Sequence, residues 1–411
     1  MAKIRVGVFG GARGFTMINQ LLARDDAVLT AVCDKYRPLL DRVGKKAEEL
    51  GQKVALCESF DEFMEQDMDA VVLANYANEH VPYAVRLLNS GRHVMSEVLT
   101  CSNMAEAVEL IEAVEKTGLV YTYAENYCYT PARQEMRRRY LAGDIGELLY
   151  AEGEYIHDCS SIWPQITYGE RNHWRNLMSS TFYNTHSLGP LLKMTGLRPV
   201  SVSGFETPLS PHMLELGACF GSGGMAIVTL NNGAVVKSLH GDLKHAAHSR
   251  YYLSGTRGGL LDPNRDCMVC AYTEGPGENC RGKKEEYKAE HPIAEAGQTG
   301  HGGGDYYTVH FFIRSILGDE EAKKMAVNVY EAVDMCTPGI LGYKSVLEGN
   351  RSYRVPDLRR PEERDAWRND RACTFPDIAG DQVLPNRIDS ISVPDSTYER
   401  VKQLWIDKKP G

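Results

Sequence analysis

The chain opens on a regular exchange of short apolar runs and amphipathic stretches. Ile4–Phe9 is an apolar run that ends in glycines, Thr16–Arg24 carries apolar residues at helical spacing, and Ala27–Cys33 is a second apolar run that ends at Asp34. A polar helix over Leu39–Leu50 and a strand over Lys53–Cys57 follow. Then come the buried run Ala70–Ala74, a helix over His80–Ser90, a strand over His93–Ser96, a helix over Met104–Thr117 and a strand over Val120–Ala124. Apolar runs without alternation suit strands covered on both faces. Strands alternating with helices at this spacing predict a parallel sheet with helices on both sides, a Rossmann domain over residues 1–125.

The pattern changes after Glu125. A helix over Pro131–Ala142 leads into longer strands at Leu148–His157, Val200–Glu206, Met225–Leu230 and Ala234–His240. The last two flank Asn231-Asn232-Gly233, residues that accept the positive φ of a tight hairpin turn. Tyr251–Ser254 and Gly259–Asp262 read as a further hairpin, and helices return at Asp305–Leu317 and Asn328–Glu348. The expected fold class is therefore α/β: the N-terminal parallel sheet, followed over residues 126–360 by an α+β domain with a large, mostly antiparallel open sheet. That open sheet offers a face for homo-oligomerisation. Cys267–His301, rich in Gly, Glu and Lys, reads as a loop insertion. Residues 361–411 read as a C-terminal extension without periodicity, apart from a short helix near Ser396–Ile406.

Composition narrows the function classes. A chain of 411 residues exceeds one ordinary core. Hydrophobic content of 43% and charged content of 25% are those of a soluble globular protein. No apolar run approaches the roughly 20 residues of a membrane span. The N-terminus passes directly into a strand pattern without the apolar stretch of a signal peptide, so the expected compartment is cytoplasmic. Net charge is −9 with no basic stripe, which argues against a nucleic-acid partner. Arg137-Arg138-Arg139 reads as a solvated helix face. The eleven cysteines, an odd number, fit reduced thiols. Cys267, Cys270 and Cys280 have the look of a metal clip but lack a fourth ligand at matching spacing.

The first strand runs into Gly10-Gly11-Ala12-Arg13-Gly14. Glycines between a first strand and a first helix let backbone amides approach a pyrophosphate at the helix N-terminus. Asp34 ends the second strand 24 positions after Gly10, where a carboxylate binds adenosine ribose hydroxyls and repels a 2′-phosphate. The pair points to NAD rather than NADP.

Ala74-Asn75-Tyr76-Ala77-Asn78-Glu79-His80, followed by Gly91-Arg92-His93-Val94-Met95-Ser96-Glu97-Val98, resembles the Gfo/Idh/MocA oxidoreductase family. The resemblance implies a Rossmann domain followed by an α/β domain whose open sheet carries the substrate. It places Asn75, His80 and Glu97 with the glycine turn in the NAD site. Asn75 and Tyr76 depart from the usual Thr-Pro. Val98 stands where the family's dehydrogenases carry a lysine that holds the sugar hydroxyl, and valine neither donates nor accepts a proton.

Four further blocks follow in order: Glu125-Asn126-Tyr127-Cys128-Tyr129, Glu152-Gly153-Glu154-Tyr155-Ile156-His157-Asp158, Tyr183-Asn184-Thr185-His186-Ser187-Leu188-Gly189-Pro190, and Gly300-His301-Gly302-Gly303-Gly304-Asp305. Together with Glu97-Val98 and Val355-Pro356-Asp357 they resemble the NAD-dependent glycosidases of glycoside hydrolase family 109, a branch of that superfamily. The resemblance implies a glycoside as the small-molecule partner. It also implies transient oxidation at sugar carbon 3, loss of the anomeric substituent, addition of water and re-reduction. Asn184 and Ser187 depart from the pattern. Such a route needs several proton carriers around one ring, with pKa values near neutrality. Glu125, Tyr155, His157, Tyr183 and His186 are the candidate catalytic residues. Tyr155 and His157, two apart on a strand, share a face, and Tyr183 and His186, three apart, share one on a helical turn. His301 either caps its helix or touches substrate. Asp158 either orients His157 or binds a hydroxyl, and Trp163, Tyr168 and Trp174 either stack on a sugar or anchor their loop. Two alternatives remain on this scaffold: a net sugar or inositol dehydrogenase, and a regulator that binds NAD and sugar. Glu125, His157 and His186 could also form a His₂-carboxylate site for a divalent metal.

Overall fold

The unbroken apolar runs of the N-terminal third pair on both edges and bury both faces. In the computed structural model, which describes residues 3–244, 248–263, 267–275, 282–386 and 391–408, they form six strands: β1 (Ile4–Phe9), β2 (Ala27–Cys33), β3 (Ala55–Cys57), β4 (Ala70–Leu73), β5 (His93–Ser96) and β6 (Tyr121–Tyr123). Their order is β3-β2-β1-β4-β5-β6 and every pairing is parallel. The order reverses between β1 and β4, the switch point at which doubly wound sheets bind their ligands. The predicted helices form within about two residues of their expected ends. A short helix, Phe60–Met64, was not announced, because one and a half turns are too few to show a period. Its Ser59 cap accepts the Glu62 N–H at 3.3 Å.

Two compact units divide the chain. The first comprises the chain up to Cys101, Glu106–Pro131 and His291–Val333. Chain order places the last segment after the second sheet, yet the helix Gly304–Ile316 turns Val309, Phe312 and Ile313 into a core shared with Met17, Ile18 and Leu21. An apolar helix face goes where it buries most surface, whatever its position along the chain.

The second unit comprises Ser102–Ala105, Ala132–Glu290 and the chain from Asp334. Its nine strands are β7 (Leu148–Ile156), β8 (Pro199–Glu206), β9 (Gly223–Leu230), β10 (Val235–Gly241), β11 (His248–Gly255), β12 (Gly258–Asp262), β13 (Met268–Thr273), β14 (Lys283–Lys288) and β15 (Tyr353–Arg354). The order is β14-β13-β12-β11-β7-β10-β9-β8-β15, antiparallel except for the parallel pair β7–β10. On β7 the alternation is clean. Ala151, Gly153 and Tyr155 are buried, while Glu152 and Glu154 face outward to Lys237 at 3.1 and 3.5 Å. The helix Thr185–Thr195 lies on the inner face with all of its residues buried. A Cβ at Gly153 would stand 1.8 Å from the Ser187 carbonyl oxygen, so this contact admits only glycine.

Two expectations change. The stretch Cys267–His301 is not a simple loop, because β13 and β14 extend the sheet within it. Its outer strand reads Lys-Lys-Glu-Glu-Tyr-Lys, a charged edge strand without the apolar alternation that marks a strand in sequence. Arg139 does not join Arg138 on a solvated face. Its side chain is buried between Asp144 at 2.7 Å and Glu285 at 3.1 Å. The helix expected near Ser396–Ile406 forms as Asp395–Asp407 and buries Tyr398 and Val401, the tyrosine donating to the Gly217 carbonyl at 3.1 Å. Among the described residues no helix is long and apolar enough to cross a membrane. The ten described cysteines are free thiols.

Candidate functional site

The dinucleotide turn is built by close backbone approach. Gly10 has φ +102°, and a Cβ there would lie 2.3 Å from the Ala74 carbonyl oxygen at the end of β4. A Cβ at Gly14 would lie 2.1 Å from the Gly10 carbonyl oxygen. The helix Phe15–Ala23 begins there with no side chain capping its N-terminus. Asp34 leaves β2 and accepts the Gly11 N–H at 2.6 Å and the Tyr36 N–H at 2.8 Å, which fixes its carboxylate beside Gly10, Gly11 and Ala12. This cradle of glycine backbone, helix N-terminus and fixed carboxylate fits the pyrophosphate and ribose of a dinucleotide.

Around the turn lies a buried polar network. The Arg13 guanidinium bridges Glu97 at 2.8 Å and Asp305 at 2.7 Å. Asp305 also accepts from Asn126 Nδ2 at 2.8 Å and pairs with His301 Nδ1 at 2.8 Å. Burial works against the Asp305 carboxylate, yet His301 and Arg13 hold it well below the usual range. Glu97 is also buried and accepts its neighbour's Val98 N–H at 3.2 Å. Asn126 spends its amide nitrogen on Asp305, and its buried Oδ1 has no protein partner, an acceptor left for a ligand. Asn75 donates to Glu79 at 3.2 Å, and its Oδ1 is likewise unmatched. His80 is fully buried with Nδ1 2.8 Å from the Leu99 carbonyl, and burial pushes its imidazole down to about 4. Its Nδ1 thereby holds the segment after β5, while its buried Nε2 has no protein partner. Glu125, in the same unit, is fully buried and caps its own turn by accepting the Tyr127 N–H at 3.3 Å.

The second unit gathers the other four candidates on the inner face of its sheet. The Tyr155 hydroxyl lies 3.1 Å from His157 Nδ1, at the end of β7. The Tyr155 ring stands 4.7 Å from His186, and His186 stands 4.9 Å from Tyr183. Tyr183 closes the short helical turn Ser180–Tyr183 and His186 opens the helix that follows. Two residues join them that sequence patterning did not single out. His240 pairs in register with Tyr155 across β10 and β7, stacks on it at 5.5 Å, and lies 5.0 Å from Tyr183. Burial, with His186 adding to it, lowers the His240 imidazole to about 3, against its contact with the Ser180 carbonyl, so it is neutral at pH 7. Arg175 stacks on Trp174 at 4.3 Å and reaches the Tyr183 hydroxyl at 3.5 Å. It lines a small recess with Trp163, Asn176, Ser180, Met213 and Asp242. The only prior sign of either residue was position: His240 ends a strand beside a hairpin, and Arg175 follows Trp174.

The remaining candidates resolve locally. Asp158 accepts the Ser160 N–H at 3.0 Å and faces Lys244 at 3.8 Å, while the Tyr155 hydroxyl is what reaches His157. Trp163 is buried and donates to Asn176 at 3.0 Å, so it anchors its loop. Trp174 stacks on Tyr183. Tyr168 packs on Trp405 of the C-terminal helix. Among the described residues no three His, Cys, Asp or Glu side chains form a metal site, and the Glu125, His157 and His186 alternative finds no support there. Cys280 of the cysteine clip lies outside the described residues.

Comparison with known proteins agrees with this architecture. Residues 4–125 match the model of the oxidoreductase family with an NAD-binding Rossmann fold, and residues 225–365 match the glycosyl hydrolase 109 C-terminal domain. A glycosyl hydrolase family 109 protein of Solibacter usitatus is 28% identical, over 87% of this chain and 88% of its own length. An alpha-N-acetylgalactosaminidase of Shewanella oneidensis is 24% identical, over 88% of this chain and 86% of its own. Among solved structures, a levoglucosan dehydrogenase in complex with NADH and L-sorbose shares the fold with TM-score 0.71 at 17% identity, covering 87% of this chain and 100% of that one. Its first 125 residues thus match the NAD-binding Rossmann domain of the Gfo/Idh/MocA oxidoreductases, and over most of its length the chain is similar to the glycosyl hydrolase family 109 proteins.

Proposed function

We propose that this protein is an NAD-dependent glycosidase that cleaves a glycosidic bond through transient oxidation of the sugar. The observation that carries the reading is the cluster of Tyr155, His157, Tyr183, His186 and His240 on one sheet face, because a one-step net oxidation needs only one base. The first unit holds NAD through Gly10, Gly11, Ala12, Gly14 and Asp34, with Arg13, Asn75, Glu97 and Asn126 around the turn. Bound NAD supplies a reversible two-electron acceptor that oxidises carbon 3 and reduces it again at the end. A base, His186 or Tyr183, takes the carbon-3 hydroxyl proton during oxidation. The ketone then acidifies the carbon-2 hydrogen, and a second base removes it. The Arg175 guanidinium donates to the Tyr183 hydroxyl at 3.5 Å and orients it for that step. The electron pair left on carbon 2 expels the anomeric substituent, which takes a proton from the Tyr155–His157 pair. Water adds to carbon 1 as a proton returns to carbon 2. His240, neutral, packs the cluster and accepts or donates without carrying charge. Glu125 is kept as a further candidate proton carrier.

The test is to supply the protein as purified with a panel of 4-nitrophenyl glycosides in deuterated water. The reading expects release of 4-nitrophenol, deuterium at carbon 2 of the product and no net accumulation of NADH. Steady NADH accumulation from free sugars without glycoside cleavage would establish the net dehydrogenase instead. Val98, where the dehydrogenases of the superfamily carry a lysine, favours the glycosidase.

A further inference from the structure

We infer that Asp305 is a positioning residue for the dinucleotide turn, holding Arg13 and Asn126 in the arrangement that receives NAD. The inference rests on the reading of the first unit as an NAD-binding unit. Asp305 lies 292 positions beyond Arg13, in the helix Gly304–Ile316. Its carboxylate takes Arg13 NH2 at 2.7 Å, Asn126 Nδ2 at 2.8 Å and His301 Nδ1 at 2.8 Å. It therefore ties together the glycine turn, the segment after β6 and the 300–304 loop. Its main-chain oxygen accepts from Gln20 of the first helix at 3.0 Å.

The backbone around it has no freedom to drift. Gly302 and Gly303 have φ of +59° and +86°, and a Cβ at Gly304 would stand 2.3 Å from the Asn126 carbonyl oxygen. The carboxylate is 1% exposed, so its donors are fixed by geometry rather than averaged by solvent. Each donor it holds leaves another group oriented: Asn126 presents its unmatched Oδ1, and Arg13 stays with Glu97. A ligand meets groups already aimed and loses less freedom on binding.

A positioning role and a charge role predict opposite results. Asp305 brings negative charge toward a site for an anionic ligand. If charge alone mattered, Asp305→Asn would bind the dinucleotide more tightly, and Asp305→Glu would behave as wild type. If position matters, both variants loosen it. The Asn amide turns a donor against Arg13 or Asn126, and Glu displaces the acceptor oxygens by one methylene. The experiment uses the full chain loaded with NADH, displaced by excess NAD in a stopped-flow instrument and followed by NADH fluorescence. The expected result is release at least tenfold faster in both variants. Gln20→Ala, which leaves the carboxylate untouched, stays within twofold and controls for general loosening. Wild-type release by Asp305→Glu, or slower release by Asp305→Asn, would overturn the inference. Wild-type protein that binds neither NADH nor NAD overturns the underlying reading and the inference with it.

Discussion

Gly153→Ala is a single-methyl test of the second unit's site. The added Cβ would stand 1.8 Å from the Ser187 carbonyl oxygen and 3.1 Å from Leu191 Cδ1. Ordinary contact begins near 3.4 Å, so the first turn of the helix Thr185–Thr195 must withdraw from β7 by about 1.6 Å. Overpacking of this kind costs about 1–3 kcal/mol of stability. The same displacement carries His186 away from Tyr155, which stands two residues beyond Gly153 on the same face, and from which it is now 4.7 Å distant between ring centres. Misplacement by about 1 Å costs catalysis on the order of a hundredfold. The assay pairs denaturant unfolding with glycoside turnover, and adds NADH binding as a control for the first unit. Turnover should fall about a hundredfold while NADH affinity holds. A variant with wild-type turnover and stability within about 0.5 kcal/mol would refute the view that this glycine sets the helix on the sheet.

Other substitutions separate the remaining roles. Tyr183→Phe and His186→Ala should each lower turnover about a hundredfold or more while NAD stays bound, and unchanged rates would remove the residue from the mechanism. Gly10→Val should lose the cofactor, and the collision with Ala74 adds a loss of thermal stability that a purely ligand-contacting residue would not show. His240 predicts a pH dependence. Its folded-state value of about 3 lies below the ordinary 6.5, so its contribution to stability is present above pH 6.5 and is lost as pH falls toward 3. Between pH 7 and pH 5 that is about 2 kcal/mol. Denaturant titrations at both values should show wild type losing about 2 kcal/mol more than His240→Asn, and equal losses would show that His240 is not the group responsible.

The first sheet was legible because parallel strands covered on both faces leave apolar runs in the sequence itself. β1, β2 and β5 match their expected ranges to the residue. β14 was not legible. An edge strand owes its place to one neighbour's hydrogen bonds, and its charges conceal the alternation. The candidate site divides the same way. Tyr155 with His157, and Tyr183 with His186, are neighbours in sequence, so strand and helix periods already bring them together. Asp34 was legible by its place at the end of the second apolar run. His80, expected beside the cofactor, is a buried imidazole whose Nδ1 meets the Leu99 carbonyl, a contact between residues 19 positions apart that the motif does not announce.

The sequence by itself determined the elements, the glycine turn with its carboxylate, and the order of the blocks, since each depends on contacts within a few residues. Only the tertiary structure decided which distant residues meet. His240 reaches Tyr155 because β10 pairs with β7 in a parallel register that no local period encodes. Asp305 reaches Arg13 because the apolar face of its helix is buried in the first unit's core. Both outcomes are set by burial and strand pairing across the whole chain, and these carry the side chains of the site into place as a consequence.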